Sequence, residues 1–115
     1  MIQDLIIYQK SYDLFLYIHP ILAKFPKNQR HVLGQRIENK ILDIIESIIA
    51  TNMERNKLPG LRSISIAMDE LRTLVRLSKD LEFLSIRQYE IIADKLNEIG
   101  RMLSGWINKC LNQKQ

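Results

Sequence analysis

Four stretches of this sequence repeat apolar residues at intervals of three and four positions, the spacing of one face of an α-helix. The longest and most regular of them carries Leu33, Ile37, Ile41, Ile44, Ile45 and Ile48. No stretch shows the strict alternation of apolar and polar residues that is typical of a half-buried β-strand. A chain of this kind can bury its apolar residues only by packing helices against one another, so the sequence predicts an all-α fold.

The four predicted helices run over residues 3–24, 28–55, 60–82 and 86–112, with approximate ends. Pro26 separates the first helix from the second, and Asn28 is a candidate N-cap for the second. The segment RNKLPG, residues 55–60, is the clearest loop in the sequence. Ser85 and Gln88 form an S-x-x-Q capping box, which predicts that the fourth helix begins there.

Each predicted helix has one apolar face, and short turns join the helices. This combination predicts an antiparallel up-and-down four-helix bundle, and a chain of 115 residues forms one domain over residues 1–115. In the first helix, which Pro20 is expected to kink, the core face is assigned to Leu5, Tyr8, Tyr12, Phe15, Leu16, His19 and Leu22. In the third helix the face is assigned to Ile64, Ala67, Met68, Leu71, Leu74, Val75, Ser78 and Leu81. In the fourth it is assigned to Tyr89, Ile92, Leu96, Ile99, Leu103, Trp106, Ile107 and Cys110.

The charged residues favour an anionic partner and argue against a membrane protein. Seventeen Lys and Arg against thirteen Asp and Glu residues give a formal net charge of +4, which suits nucleic acid. Asp43 and Glu46 interrupt the longest apolar stretches. Asp4 and Lys10 fall where the apolar region of a signal peptide would have to be. We therefore expect a cytoplasmic protein with no membrane partner.

Catalytic and metal-binding patterns are missing from the sequence. A di-iron helical bundle needs a Glu three positions before a His, and neither His19 nor His31 is preceded in this way. Cys110, the one cysteine, has no His or Cys at ligand spacing. Catalytic triads and glycine-rich phosphate loops do not occur either. We expect no enzyme activity, no metal and no cofactor.

Basic residues repeat along one face of the third predicted helix. Arg72, Arg76 and Lys79 follow one another at four and three positions, and Arg62 extends this basic stripe towards the loop. A similar pair, Arg36 and Lys40, lies on the second helix. The stripe predicts either contacts with the phosphates of a nucleic acid or a solvated face, and Asp69 and Asp80 could supply ion pairs for the second case.

Two glycines lie five positions apart in the fourth helix, where each costs roughly 1 kcal/mol relative to alanine. Gly100 falls at the edge of the core face and predicts the close approach of a neighbouring helix. Gly105 falls nearly opposite that face, next to Met102 and Trp106. These three residues predict a contact with a second subunit, and a frayed helix end is the alternative reading of Gly105.

Three blocks of the sequence resemble the Avd-like proteins, the accessory variability determinants of diversity-generating retroelements. They read KSYDLFLYIHPILAKFPKNQRHVLGQRIENKILDIIE, LRTLVRLSKDLEFLSIRQYE and EIGRMLSGW. The resemblance implies a four-helix bundle that assembles into a barrel-shaped homopentamer and binds RNA or DNA. It further implies a reverse transcriptase and its template RNA as partners, with Arg72, Arg76 and Arg101 as candidate contact residues. Many relatives have Gly-Gly-Trp where this chain has Ser104, Gly105 and Trp106.

Two other functions stay open. The four-helix proteins encoded in ribosomal RNA intervening sequences share the bundle, but they usually carry Asn-Ile-Ala-Glu-Gly late in the second helix. This chain has SIIATN, residues 47–52, at the corresponding place. The other alternative is a structural homo-oligomeric adaptor that binds no nucleic acid.

Overall fold

The computed structural model describes residues 2–113, and every regular element within them is helical. The four long helices are α1 (Ile2–Leu22), α2 (Gln35–Met53), α3 (Leu58–Asp80) and α4 (Ile86–Gln113). A helical turn (Lys27–Gln29) and a π-helical turn (Arg30–Gly34) run without a break into α2. The predicted all-α class is therefore confirmed, and the arrangement fits a four-helix bundle.

The helices pack side by side in the order of the chain. The contacts join α1 to α2, α2 to α3, α3 to α4, and α4 back to α1. Short connections at residues 23–26, 54–57 and 81–85 make consecutive helices antiparallel. The bundle is accordingly elongated and measures 50 × 22 × 19 Å.

The core contains the apolar faces predicted for α2 and α4, and most of the face predicted for α3. The fully buried residues include Ile37, Ile41 and Ile48 from α2, Ile64, Met68 and Leu71 from α3, and Ile92 from α4. Leu81 is an exception, because it lies past the end of α3 and is exposed.

The core face predicted for α1 is mostly wrong. Leu22 of that face is buried, and Tyr8 and Phe15 are half-buried against the core. The other buried apolar residues of this helix include Ile7, Leu14 and Ile18, a different stripe at the same helical spacing. Of the predicted face, Leu5, Tyr12, Leu16 and His19 are exposed. Apolar residues surround this helix almost completely, so spacing alone could not indicate which of two apolar stripes faces the core.

The end of the bundle that carries connections 23–26 and 81–85 is closed by aromatic packing and by helix caps. The rings of Phe25 and Phe83 lie 5.6 Å apart and tie the two connections together. At the start of α4 the predicted capping box is confirmed. The backbone N–H of Gln88 donates to Ser85 Oγ at 3.0 Å, and the backbone N–H of Ser85 donates to Gln88 Oε1 at 3.0 Å.

The prediction that Asn28 caps the second helix is wrong. Asn28 lies inside the turn Lys27–Gln29, and Pro26 precedes that turn.

Just past the carboxyl end of α3, a residue other than glycine has a left-handed backbone conformation. Glu82 has φ 67°. Its amide donates to the carbonyl of Lys79 at 2.9 Å, and the amide of Phe83 donates to the carbonyl of Ser78 at 2.8 Å. These two hydrogen bonds form a Schellman motif, in which the left-handed position is usually glycine.

The segment predicted as the clearest loop is a loop only over residues 55–57, and its last three residues begin α3. Pro59 and Gly60 lie in the first turn of α3, where proline is tolerated because its missing N–H would have no helical partner. Gly60 packs directly against Thr51 of α2. A Cβ at position 60 would come within 3.0 Å of Thr51 Cγ2 and 3.1 Å of Thr51 Cβ. This glycine therefore permits the close approach of α2 and α3.

We predict that Gly60→Ala lowers the free energy of unfolding by about 1–3 kcal/mol, because the new methyl group overpacks a buried contact. Urea denaturation followed by circular dichroism measures this change. Gly105→Ala is the matched control, since nothing lies within 4 Å of a Cβ at that position. There the same substitution should raise stability by about 1 kcal/mol. Equal gains at both positions would show that Thr51 moves aside at no cost.

We predict that Glu82→Gly raises the free energy of unfolding by about 1 kcal/mol, because it removes the strain of a side chain at positive φ. Glu82→Ala is the control, as it removes the same carboxylate but keeps the Cβ. A gain of the same size in the alanine variant would assign the effect to charge near Asp80 and not to the backbone.

Candidate nucleic-acid interface

A polar groove runs between α3 and α4. Its lining residues are Ser65, Met68, Arg72, Asn97, Gly100, Arg101, Leu103, Ser104, Gly105 and Asn108. The α4 side of this groove is built from small and polar residues spaced three and four positions apart, so that one face of the helix presents them together. Guanidinium, amide and hydroxyl groups therefore converge on one surface channel.

Arg72 crosses the groove and is already bonded inside the chain. Its Nη1 donates to Asp69 Oδ1 at 3.0 Å, and its Nη2 donates to the carbonyl of Leu96 at 3.4 Å. A Cβ at position 100 would lie 2.6 Å from Nη2, so Gly100 provides the space for this side chain. Gly100 was expected to admit a neighbouring helix, and the group that it admits is the Arg72 guanidinium.

Two other arginines of this face are exposed and form no ion pair among residues 2–113. Arg101 lines the groove on α4, and Arg62 lies about one turn before Ser65 on α3. These two residues are the cations of the groove region that are best placed to contact an external anion.

The remaining members of the predicted basic stripe are partly neutralised. Arg76 Nε lies 3.9 Å from Asp80 Oδ2, and Lys79 Nζ lies 3.4 Å from Asp80 Oδ1. Lys79 also stands 4.7 Å above the ring of Tyr89. Of the four stripe residues, Arg62, near the 54–57 connection, forms no ion pair with the described residues, whereas Arg72, Arg76 and Lys79 each pair with Asp69 or Asp80.

The basic pair of α2 does not join this groove. Lys40 Nζ bonds Glu70 Oε1 at 3.0 Å and links α2 to α3. Arg36 is exposed on α2, a helix that contributes no residue to the groove. The structure thus brings Arg72 and Arg101 together and leaves Arg36 and Lys40 apart from them.

The three residues predicted to contact a second subunit have different environments. Trp106 is only 3% exposed and belongs to the core of the single chain. Met102 is partly buried and packs against that core, whereas Gly105 is exposed at the groove. A subunit contact at Gly105 and Met102 stays a prediction.

Sequence reasoning missed the uncharged part of the groove. Asn97 and Asn108 were not singled out, and Ser104 was noted only as a difference from relatives, because a search for charged and aromatic residues passes over amides and hydroxyls. Together with Arg101 they follow a 4-3-4 spacing, which marks one face of a helix. A search for polar residues at helical spacing would have found them.

The histidines do not assemble a further site. His19 is exposed, and its Nδ1 lies 2.8 Å from Glu38 Oε2, which links α1 to α2. Within residues 2–113 no three His, Cys, Asp or Glu side chains are close enough together to hold a metal ion. In the same residues no helix combines the length and apolar character needed to cross a bilayer.

Comparison with known families gives one extended match. A family model described as bAvd-like matches residues 5–110 of this chain. Among curated proteins none matches significantly. The matched range covers α2 and α3, all but the outermost three residues of α1 and of α4, and the whole of the groove.

Proposed function

Because the chain belongs to the bAvd-like family, we propose that it is a nucleic-acid-binding accessory protein of a diversity-generating retroelement. The family is an accessory and non-catalytic one. In this proposal the protein associates with the reverse transcriptase and its template RNA in the cytoplasm. It supports the synthesis of mutagenic complementary DNA without catalysing it.

The observation that carries the proposal is the unpaired positive charge at the α3–α4 groove. Arg62 and Arg101 are exposed cations without acidic partners among the described residues, and Arg101 lines the groove together with Arg72. Phosphate groups provide the complementary charge, and arginine binds them through several parallel hydrogen bonds.

The chemistry of the groove suits the backbone of a nucleic acid better than its bases. Asn97, Asn108 and Ser104 offer donors and acceptors for phosphate and ribose oxygens. Among residues 2–113 no Phe, Tyr or Trp lines the groove, so this part of the chain offers no ring there on which a base could stack. The proposed binding is therefore guided by charge and shape, with little readout of sequence.

The resemblance to Avd-like proteins also suggests that several copies act together, with a homopentamer as the expected assembly. Each copy would present one groove. Several grooves on one RNA would raise the overall affinity well above that of a single groove. Arg72 and Arg76 remain candidate contacts for RNA or for the polymerase, although both already have acidic partners in the chain.

We predict that Arg62→Ala with Arg101→Ala lowers the affinity for a short structured RNA by about tenfold or more at low salt, because two phosphate contacts are lost. The slope of log K against log salt should become shallower by about 1.5 for the same reason. Fluorescence anisotropy across a series of salt concentrations measures both quantities.

Lys24→Ala with Lys27→Ala provides the control. Both lysines are exposed at the opposite end of the bundle, and their loss changes the net charge by the same amount. Equal losses of affinity in the two variants would remove the groove from the proposal. A wild-type protein that binds no RNA even at low salt would contradict the proposed function and favour the structural adaptor.

A further inference from the structure

A second, smaller hollow lies between α3 and α4, next to the polar groove and nearer the 81–85 connection. Its volume is about 170 Å³. We call it the Tyr89 pocket, and its lining residues are Arg72, Val75, Tyr89, Ala93, Leu96 and Asn97. Arg72 and Asn97 also line the groove, so the two hollows adjoin.

Helical spacing places the Tyr89 pocket and the groove on the same face of α4. Tyr89, Ala93 and Asn97 follow one another at four positions, and Gly100 and Ser104 of the groove continue the row at three and four. A nucleic-acid strand that follows the groove along α4 would therefore reach the pocket without leaving this face of the helix.

The walls of the Tyr89 pocket differ in chemistry from those of the groove. Val75 and Leu96 are only 1% and 2% exposed, so the core itself supplies an apolar floor. The ring of Tyr89 forms one wall and packs partly against the core. Ala93 leaves space beside this ring, because its side chain is a single methyl group. The pocket thus offers the aromatic surface that the groove does not.

Polar groups are confined to the side of the pocket that adjoins the groove. Among residues 2–113 the amide group of Asn97 has no hydrogen-bond partner, so it can both donate to and accept from a ligand. The planar guanidinium of Arg72 lies beside it and can stack on a flat ring. An apolar floor with a few polar groups at one edge is typical of sites that bind small molecules.

We propose that the Tyr89 pocket receives one unpaired nucleobase of a strand whose phosphates lie in the groove. The pocket is smaller than the about 300–1,000 Å³ of sites for drug-sized ligands, which limits the occupant to one ring system. Arg72 at its edge, and Lys79 4.7 Å above the Tyr89 ring, favour an occupant that is attached to anionic groups. A nucleobase on its phosphate backbone meets both conditions.

This inference rests on the proposed function and adds the class of nucleic acid that the site selects. A base that is paired and stacked in a duplex cannot enter a pocket, whereas an unpaired base in a loop can. Stacking on a ring accepts any base, so the pocket favours unpaired segments without reading their sequence.

Two RNA hairpins test the proposal. They have the same stem and the same phosphates, but in one of them the loop nucleotides are abasic. Fluorescence anisotropy at low salt should show that the wild type binds the intact hairpin about tenfold more tightly than the abasic one. Tyr89→Leu should bind both hairpins with the lower affinity. Its salt dependence should match that of the wild type, because the phosphate contacts remain.

Tyr17→Leu is the matched control. Tyr17 is also a half-buried ring beneath a lysine, with Lys95 Nζ 5.1 Å from its centroid, but it lies between α1 and α4. This variant should prefer the intact hairpin as the wild type does, and Tyr89→Phe should do so too because it keeps the ring. Circular dichroism checks that each variant stays helical. Ala93→Leu, which fills the pocket and leaves Tyr89 in place, should also abolish the preference.

Equal affinity of the wild type for the two hairpins would overturn the proposal. A preference that persists in both Tyr89→Leu and Ala93→Leu, or one that Tyr17→Leu loses equally, would overturn it as well. In these cases salt-sensitive binding that still requires Arg62 and Arg101 would leave the proposed function standing. A wild type that binds neither hairpin would contradict the proposed function, and the pocket assignment with it.

Discussion

Burial of one apolar stripe from each of the four long helices is the constraint on which the rest of this structure depends. Each fully buried Leu or Ile contributes about 1.5–3 kcal/mol relative to an exposed one. This burial is not directional, so it does not by itself determine how far each helix slides along its neighbour. Each of the four helix contacts also carries a polar pair: His19–Glu38, Lys40–Glu70, Arg72 with the Leu96 carbonyl, and Lys10–Glu98. Exposed pairs of this kind add at most about 1 kcal/mol each, so their main effect is to favour one register.

The register of α3 against α4 in turn determines which side chains line the groove. Arg72 reaches across to the carbonyl of Leu96 only because Gly100 leaves room beside it. The same bond that holds α3 to α4 therefore places a guanidinium in the groove. Asp69 holds the other nitrogen of that side chain and neutralises part of its charge. Arg72 therefore both links α3 to α4 and lines the groove. Arg62 and Arg101 form no such bond with the described residues.

The fold was largely predictable from the sequence, and the reasons for the failures are physical. In α2, α3 and α4 most residues outside the predicted faces are polar, so spacing alone indicated the buried face. In α1 two apolar stripes compete, and most of the residues predicted to be buried belong to the exposed one. Gly60 was read as part of a loop because its role depends on Thr51, a contact that no local pattern reveals. The basic stripe was predictable as a row of cations. Which of its members form ion pairs depends on where Asp69 and Asp80 point, which sequence spacing leaves open.

The order in which the helices pack also has a consequence for how the chain folds. Three of the four helix contacts join helices that are consecutive in the chain. Such contacts close short loops, and helical bundles dominated by them fold within microseconds to milliseconds. The contact between α1 and α4 is different, because it must bring together the two ends of the chain. Lys10 with Glu98, and Lys95 over the ring of Tyr17 at 5.1 Å, bridge this seam. The loop-closure entropy is therefore greatest for this seam, and we expect it to close last on folding and to open first.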